Sequence, residues 1–132
     1  DKSLLCFMRA GGPKTHRIWQ SESFDLGRTW THPVTVSLPN PDAAVDLLKL
    51  KSGNVVLAFN NSTVERCPLT LALSNDDGKT WVNFRDLETE GGAYSYPSLT
   101  EAQDGAIHVT YTYQRKTIKH VRLNEDWILE EK

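Results

Sequence analysis

Two similar stretches decide the fold of this 132-residue chain: SFDLGRTW at residues 23–30 and SNDDGKTW at residues 74–81. They share the pattern S-x-D-x-G-x-T-W, and the second lies 51 positions after the first. We call them the first box and the second box. A second feature repeats at nearly the same interval, because Gly53 and Gly105 each precede a run rich in apolar residues. A period of about 50 residues is typical of propeller blades.

The segments between the turns have the patterns of β-strands. Residues 107–113 alternate between apolar or aromatic and polar side chains, which is the period of a strand. Residues 55–59 are almost wholly apolar, as expected of a strand buried on both faces. Residues 43–50 are the best candidate for a helix, but they lie where the repeat requires a strand. Named A to D from the central axis outward, the predicted strands are 4–9, 17–21 and 31–37 (B to D), then 45–50, 54–60, 69–74 and 81–87 (A to D), and finally 96–102, 106–113, 117–123 and 127–129 (A to D).

The predicted fold class is all-β, with about two and a half four-stranded antiparallel blades of a β-propeller. We predict blades at residues 1–38, 39–90 and 91–132. Because a propeller usually needs about four to eight blades to close its ring, we expect the chain to belong to a longer protein or to assemble with other copies.

Composition and charge argue against several classes of function. A formal net charge of -2 gives no reason to expect a nucleic-acid surface. No apolar run of about 18 residues is present, so no membrane-spanning segment is predicted. Cys6 and Cys67 are too few for a disulfide scaffold and lack the spacing of a zinc site, and we predict no metal or other cofactor. No targeting segment is recognisable, so the sequence leaves the compartment open.

The repeated boxes are expected to be rigid turns between strands C and D. Their serine and aspartate side chains can hydrogen-bond backbone amides of the same turn, and their glycines can adopt positive φ. The tryptophan would open strand D and pack under the turn. The carboxylates are too few for a calcium loop. The expected structural residues are Ser23, Asp25, Gly27 and Trp30 in the first box, and Ser74, Asp76, Gly78 and Trp81 in the second.

The sequence resembles the sialidase (neuraminidase) superfamily, in the branch with BNR or Asp-box repeats. The two boxes carry most of the resemblance. Ala93-Tyr94-Ser95 and the stretch YSYPSL at residues 94–99 add to it. The resemblance covers essentially the whole chain, and it implies the C-terminal part of a propeller that has six blades when complete.

The resemblance also implies roles for three residues. Sialidases hold the carboxylate of their sugar with three arginines, and Arg9 and Arg66 match two of these positions. Tyr94, in the Ala-Tyr-Ser motif, matches the catalytic nucleophile. In the family, the third arginine, the general-acid Asp and the Glu that activates the tyrosine lie further N-terminal. We therefore expect the isolated chain to be inactive.

Blade topology groups the same residues without reference to the family. In an up-and-down blade the A–B and C–D turns share one end, and the B–C and D–A turns share the other. Both boxes fall at the first end, whereas Arg9, Arg66, Tyr94 and Asp42 fall at the second.

The residue types at the second end suit an acidic sugar. The planar fork of arginine binds a carboxylate bidentately, so two arginines suit a sialic or uronic acid. A neutral phenol needs a nearby carboxylate as base, because its ordinary pKa is about 10.

Three functions remain open from the sequence. The first is an exo-acting glycoside hydrolase of sialidase type on terminal acidic sugars. The second is a non-catalytic propeller that binds carbohydrate or protein, and the third is a related hydrolase or lyase on another acidic sugar. Fold alone does not choose among them, since Arg9 and Arg66 can be structural arginines and Tyr94 a core aromatic. The expected partners are a sialoside or other acidic glycan, and the remaining blades or further copies of the chain.

Overall fold

The structure is a computed structural model that describes residues 3–9, 11 and 15–130. The strands are β1 (Leu4–Met8), β2 (Arg17–Ser23), β3 (Val34–Pro39), β4 (Asp46–Lys49), β5 (Val55–Asn60), β6 (Leu69–Ser74), β7 (Val82–Glu88), β8 (Tyr94–Glu101), β9 (Ile107–Tyr113) and β10 (Thr117–Leu123), and one helix follows, α1 (Glu125–Leu129).

The strands form three antiparallel sheets, which we call blade 1, blade 2 and blade 3. Blade 1 has the order β1-β2-β3, blade 2 has β4-β5-β6-β7, and blade 3 has β8-β9-β10. Blade 2 therefore contains all four predicted strands, whereas blade 1 lacks strand A and blade 3 lacks strand D among the described residues. The all-β fold class is confirmed. The predicted outer limits at residues 1 and 132 lie outside the described residues.

The prediction of a fourth strand at residues 127–129 is wrong, because α1 occupies this segment. The side chain of Asn124 caps the helix by accepting a hydrogen bond from the backbone N–H of Trp127 at 2.9 Å. The helix packs on β6 and β7 of blade 2. There Ile128 is buried, and the Arg85 guanidinium lies 3.9 Å from the ring centroid of Trp127. A segment this short carries too little periodicity to separate strand from helix.

The apolar core lies between neighbouring blades, with β5 at its centre. Every residue of β5 is buried. Val56 and Ala58 belong to the cluster shared with blade 3, whereas Leu57 and Phe59 belong to the cluster shared with blade 1. Since successive side chains of a strand point to opposite faces, one strand contributes to both interfaces. The prediction of a strand buried on both faces is confirmed.

Polar contacts also join blade 2 to blade 3. The carboxylate of Asp46 in β4 accepts a hydrogen bond from the backbone N–H of Leu99 in β8 at 2.7 Å. At the end of β7, buried Glu88 accepts a hydrogen bond from the Tyr111 hydroxyl at 2.5 Å and forms an ion pair with Lys119. Burial and then the Glu88 carboxylate raise the pKa of Tyr111, while Glu88 raises the pKa of Lys119. These contacts hold the two blades in one relative position.

No helix of the described chain is long and apolar enough to cross a membrane.

Candidate functional site

The first box is a turn closed by its own side chains. Ser23 donates a hydrogen bond to Asp25 at 2.9 Å and accepts one from the Gly27 N–H at 2.8 Å. Asp25 in turn accepts from the Thr29 N–H at 2.8 Å and from its hydroxyl at 2.6 Å. Gly27 has a φ of +88°, which a residue without Cβ adopts at little cost.

The second box repeats this arrangement in blade 2. The Ser74 to Asp76 and Gly78 to Ser74 hydrogen bonds are 2.8 and 2.9 Å long. The Thr80 N–H and hydroxyl donate to Asp76 at 2.8 and 2.5 Å. The Thr80 hydrogen bonds hold the pKa of Asp76 down, at about 2. The carboxylates of Asp25 and Asp76 thus accept hydrogen bonds from within their own turns, and each box stabilises the turn that it forms.

Arg9 and Arg66 meet at the opposite end of the blades, on either side of Asp42. Arg9 follows β1, and its Nε lies 3.4 Å from a carboxylate oxygen of Asp42. Arg66 lies in the connection from β5 to β6, and one terminal nitrogen donates to the backbone carbonyl of Asp42 at 3.3 Å. Its other terminal nitrogen donates to the hydroxyl of Ser95 at 3.2 Å. Arginines from two blades therefore share one acidic residue.

A short turn anchored by buried Asn40 positions Asp42 between the arginines. The amide of Asn40, which has no exposed surface, donates to the Ala43 carbonyl at 2.8 Å and accepts from the Ala43 N–H at 3.0 Å. This bracket holds Asp42 at a φ of +59°, a left-handed conformation that aspartate tolerates better than most residues. The sequence placed Asp42 at this end of the blades, but it did not indicate that one residue would contact both arginines.

Tyr94 lies at the start of β8 in the core between blades 2 and 3. It has no exposed surface, and its ring packs against Tyr111 and Tyr113. Its hydroxyl donates to the carbonyl of Glu90 at 2.7 Å and accepts from the Gln114 side chain at 3.0 Å. Burial is the main cause that raises the pKa of Tyr94. The nucleophilic role of Tyr94 stays a prediction, and both the burial and the occupied hydroxyl weigh against it.

Tyr96, two residues further along β8, is exposed beside Arg66. Tyr96 is 59% exposed to solvent. The guanidinium carbon of Arg66 lies 5.6 Å from the centroid of its ring. The register of β8 against β9 shifts between Ser95 and Ser98, and Tyr96 has a φ of +52° within this bulge. Reasoning from the sequence did not identify Tyr96 as a candidate site residue. The following Pro97 was a signal for a bulge, because proline has no N–H to donate to the hydrogen bonds between strands.

The bulge separates two tyrosines that an undistorted strand would place on one face. Residues two apart share a face of a regular strand. In β8 the buried positions are Tyr94 and Ser95 up to the start of the bulge, Pro97 within it and Leu99 after it. The parity of burial thus changes within the strand, and Tyr96 becomes exposed while Tyr94 remains in the core.

The arrangement suits an anionic group rather than a metal ion. Two guanidinium groups and one carboxylate leave an excess of positive charge, and the Arg9 and Asp42 side chains are 48% and 56% exposed. Arginine has five N–H donors, and the two contacts of Arg66 use only two of them. Among residues 3–9, 11 and 15–130, no three His, Cys, Asp or Glu side chains are grouped as metal ligands.

A family model of the BNR repeat-like domain matches residues 1–109. No curated protein matches the chain.

Several solved structures share the fold. The intramolecular trans-sialidase from Ruminococcus gnavus, in complex with oseltamivir carboxylate, has a TM-score of 0.82 and 22% identity, over 100% of this chain and 32% of that one. The NanB sialidase from Streptococcus pneumoniae has a TM-score of 0.83 and 21% identity, over 96% of this chain and 22% of that one. An α-L-arabinanase from Penicillium chrysogenum, complexed with arabinobiose, has a TM-score of 0.65 and 22% identity, over 92% of this chain and 42% of that one. The chain spans a third or less of these two sialidases, and the predicted sialidase-type propeller fold is confirmed.

Proposed function

The chain belongs to the BNR repeat-like family, and we propose that it is the arginine-bearing part of a sialidase-type exo-glycoside hydrolase for terminal acidic sugars. The observation that carries the proposal is the convergence of Arg9 and Arg66 on Asp42. Similarity in fold to two sialidases supports the class of enzyme.

The two arginines favour a substrate with a carboxylate. A guanidinium group remains charged at any physiological pH and matches both oxygens of a carboxylate. Arg66 is held by Asp42 and Ser95, so it is oriented before a ligand arrives and loses less freedom on binding. The positive charge at this end would also attract an anionic sugar, and a neutral sugar would gain neither effect.

The proposed reaction uses a tyrosine rather than a carboxylate as nucleophile. Sialidases are the exception among glycosidases in this respect, and a neutral phenol avoids repulsion from an anionic substrate. The sequence motif predicts Tyr94 for this role. The general acid, the base and the third arginine would come from blades outside this chain, so the 132-residue chain alone should not turn over a sialoside.

The decisive experiment measures hydrolysis of a chromogenic sialoside by the full gene product. Arg9→Ala and Arg66→Ala should each lower kcat/KM by roughly 10- to 100-fold, the effect of about 1.5–3 kcal/mol for a charge-assisted hydrogen bond. Arg28→Ala is the matched control, because Arg28 is an exposed arginine of the first box at the opposite end of the blades. Equal activity in all three variants, or no hydrolysis by the wild-type product, would contradict the proposal.

A hydrolase for a different sugar is the second candidate. The observation that favours it is the shared fold with the Penicillium chrysogenum α-L-arabinanase, since one propeller scaffold supports different chemistries. A panel of uronides, arabinosides and sialosides separates the two candidates. Binding of free sialic acid by the full gene product without turnover of any of them would favour a non-catalytic carbohydrate-binding propeller.

A further inference from the structure

We propose that Tyr96, and not Tyr94, is the tyrosine that reacts with the substrate in this site. The inference rests on the proposed function, because it assigns the nucleophile of that reaction.

Access is the first argument. A nucleophile must reach the anomeric carbon of a bound sugar. The Tyr94 side chain has no exposed surface. It is buried by this chain alone, which spans a third or less of the two sialidases compared above. Adding further blades can only bury more surface, so the Tyr94 phenol would need a rearrangement of the core to react. Tyr96 is already 59% exposed.

The other two tyrosines are held in structural contacts. Tyr111 is 1% exposed and donates its hydroxyl to Glu88 in the contact between blades 2 and 3. Tyr113 is half-buried, its ring lies against Tyr94, and the Lys119 ammonium is 5.1 Å from its centroid. The sequence contains four tyrosines, so Tyr96 is the only one among them with both an open approach and a contact to a predicted substrate arginine.

Position relative to Arg66 is the second argument. The Arg66 guanidinium lies over the Tyr96 ring and also donates to Ser95. A sugar whose carboxylate binds Arg66 would therefore have its reacting carbon near Tyr96. The cationic group beside the ring would also stabilise the negative charge that develops on the phenolic oxygen during attack.

Backbone conformation is the third argument. A φ of +52° is uncommon for a bulky residue such as Tyr96, and such conformations cluster at functional sites where the surrounding structure enforces them. Here the bulge of β8 and the buried Pro97 enforce it. As a result the Tyr96 side chain is exposed, whereas Pro97 and Leu99, the next apolar residues of the strand, are buried.

The chemical step is a substitution at the anomeric carbon. The Tyr96 oxygen forms a bond to this carbon, and the glycosidic C–O bond breaks. The leaving oxygen takes a proton from a carboxylic acid, and the phenolic proton passes to a carboxylate base, both supplied by blades outside this chain. Water then attacks the carbon and the bond to the tyrosine oxygen breaks. The water gives one proton to the carboxylate that the acid left, and the departing phenolate takes its proton back from the protonated base, so all three groups are restored.

The test compares Tyr96→Phe with Tyr94→Phe in the full gene product. Tyr96→Phe should lower kcat for a chromogenic sialoside at least about 1,000-fold, because no hydroxyl remains to attack, and should leave binding of free sialic acid within about threefold. Tyr94→Phe should lower thermal stability, through loss of the hydrogen bonds to Glu90 and Gln114, and should keep kcat within about tenfold.

Mass spectrometry after an acid quench provides a second readout that does not depend on folding of a variant. The wild-type product, mixed with a fluorinated sialosyl donor, should carry a sugar adduct that fragmentation places on Tyr96. An adduct on Tyr94, or loss of kcat in Tyr94→Phe with activity retained in Tyr96→Phe, would overturn the inference while leaving the sialidase proposal intact. Wild-type product that hydrolyses no sialoside would instead contradict the proposed function itself.

Discussion

The two boxes have the same sequence pattern and the same hydrogen bonds among their serine, aspartate, glycine and threonine, but they differ in what surrounds them. Trp81 of the second box is half-buried and packs against Phe7 of blade 1, with ring centroids 5.7 Å apart. Trp30 of the first box is 46% exposed. The hydrogen bonds of a box are therefore local and come with its sequence, whereas the packing of its tryptophan depends on the preceding blade.

The box glycines differ in the same way. A Cβ added to Gly78 would lie 2.6 Å from a methyl group of Leu5 in blade 1, whereas one added to Gly27 would lie 3.5 Å from a methyl group of Leu4. Only the second box is close-packed against a neighbouring blade in this way. The comparison predicts that equivalent substitutions will have unequal effects wherever packing is involved, and equal effects wherever only the internal hydrogen bonds are involved.

The largest difference is expected for the tryptophans. Trp81→Ala should lower the free energy of unfolding by about 3 kcal/mol, the low end for removal of a large aromatic from a core, since it leaves a cavity beside Phe7. Trp30→Ala should cost about 1 kcal/mol, because less of its surface is buried. Urea unfolding measures both values. Equal costs would show that the contact between blade 1 and blade 2 contributes little.

The glycines should show a smaller difference. Gly27→Ala should cost about 1–2 kcal/mol, because alanine is disfavoured at a φ of +88°. Gly78→Ala should cost about 1 kcal/mol more, since the Leu5 side chain must also move. The flexible end of a leucine can give way, which keeps this extra cost modest. Unfolding midpoints that coincide for the two variants would contradict the close approach of Leu5.

The aspartates should show almost no difference. Asp25→Ala and Asp76→Ala each remove the hydrogen bonds from the following threonine, and the lengths of these bonds agree within about 0.1 Å between the boxes. Both variants should therefore lower the unfolding temperature by similar amounts. A clearly larger loss for one aspartate would show that its box depends on contacts outside the turn.

The smallest effect concerns pH. Threonine hydrogen bonds lower the folded-state pKa of both box aspartates, and they bring that of Asp76 to about 2 from an ordinary value of 3.8. A lowered folded-state pKa adds stability above the unfolded-state pKa, and this stability is lost as the pH falls toward the folded-state pKa. The second box should thus lose stability between about pH 5 and pH 2. Unfolding midpoints of Asp76→Ala and wild type should converge over this range, and a constant difference would contradict the lowered pKa.

Most of the blade architecture was predictable from the sequence because it depends on local patterns. The predicted strands at residues 54–60, 69–74 and 117–123 agree with β5, β6 and β10 to within one residue. The apolar run of β5 indicated burial on both faces, as found. The prediction of a strand at residues 127–129 was wrong, because this segment forms α1. The helix is stabilised by its Asn124 cap and by packing on blade 2, and the alternation of apolar residues along the sequence indicates neither contact.

The candidate site was predictable only in part. Blade topology brought Arg9 and Arg66 to one end, because that depends only on the order of strands and turns. The role of Asp42 as their common contact required the turn held by Asn40. The distinction between Tyr94 and Tyr96 required the bulge in β8.

The sequence by itself determined the blades, the boxes and the end of the blades at which the arginines lie, because the spacing of apolar, turn and box residues reports local conformation directly. Only the tertiary structure decided which tyrosine is exposed, which acid joins the arginines and which box is close-packed. These properties depend on contacts between residues far apart in the chain, and a shift of one residue in a strand exchanges its buried and exposed faces.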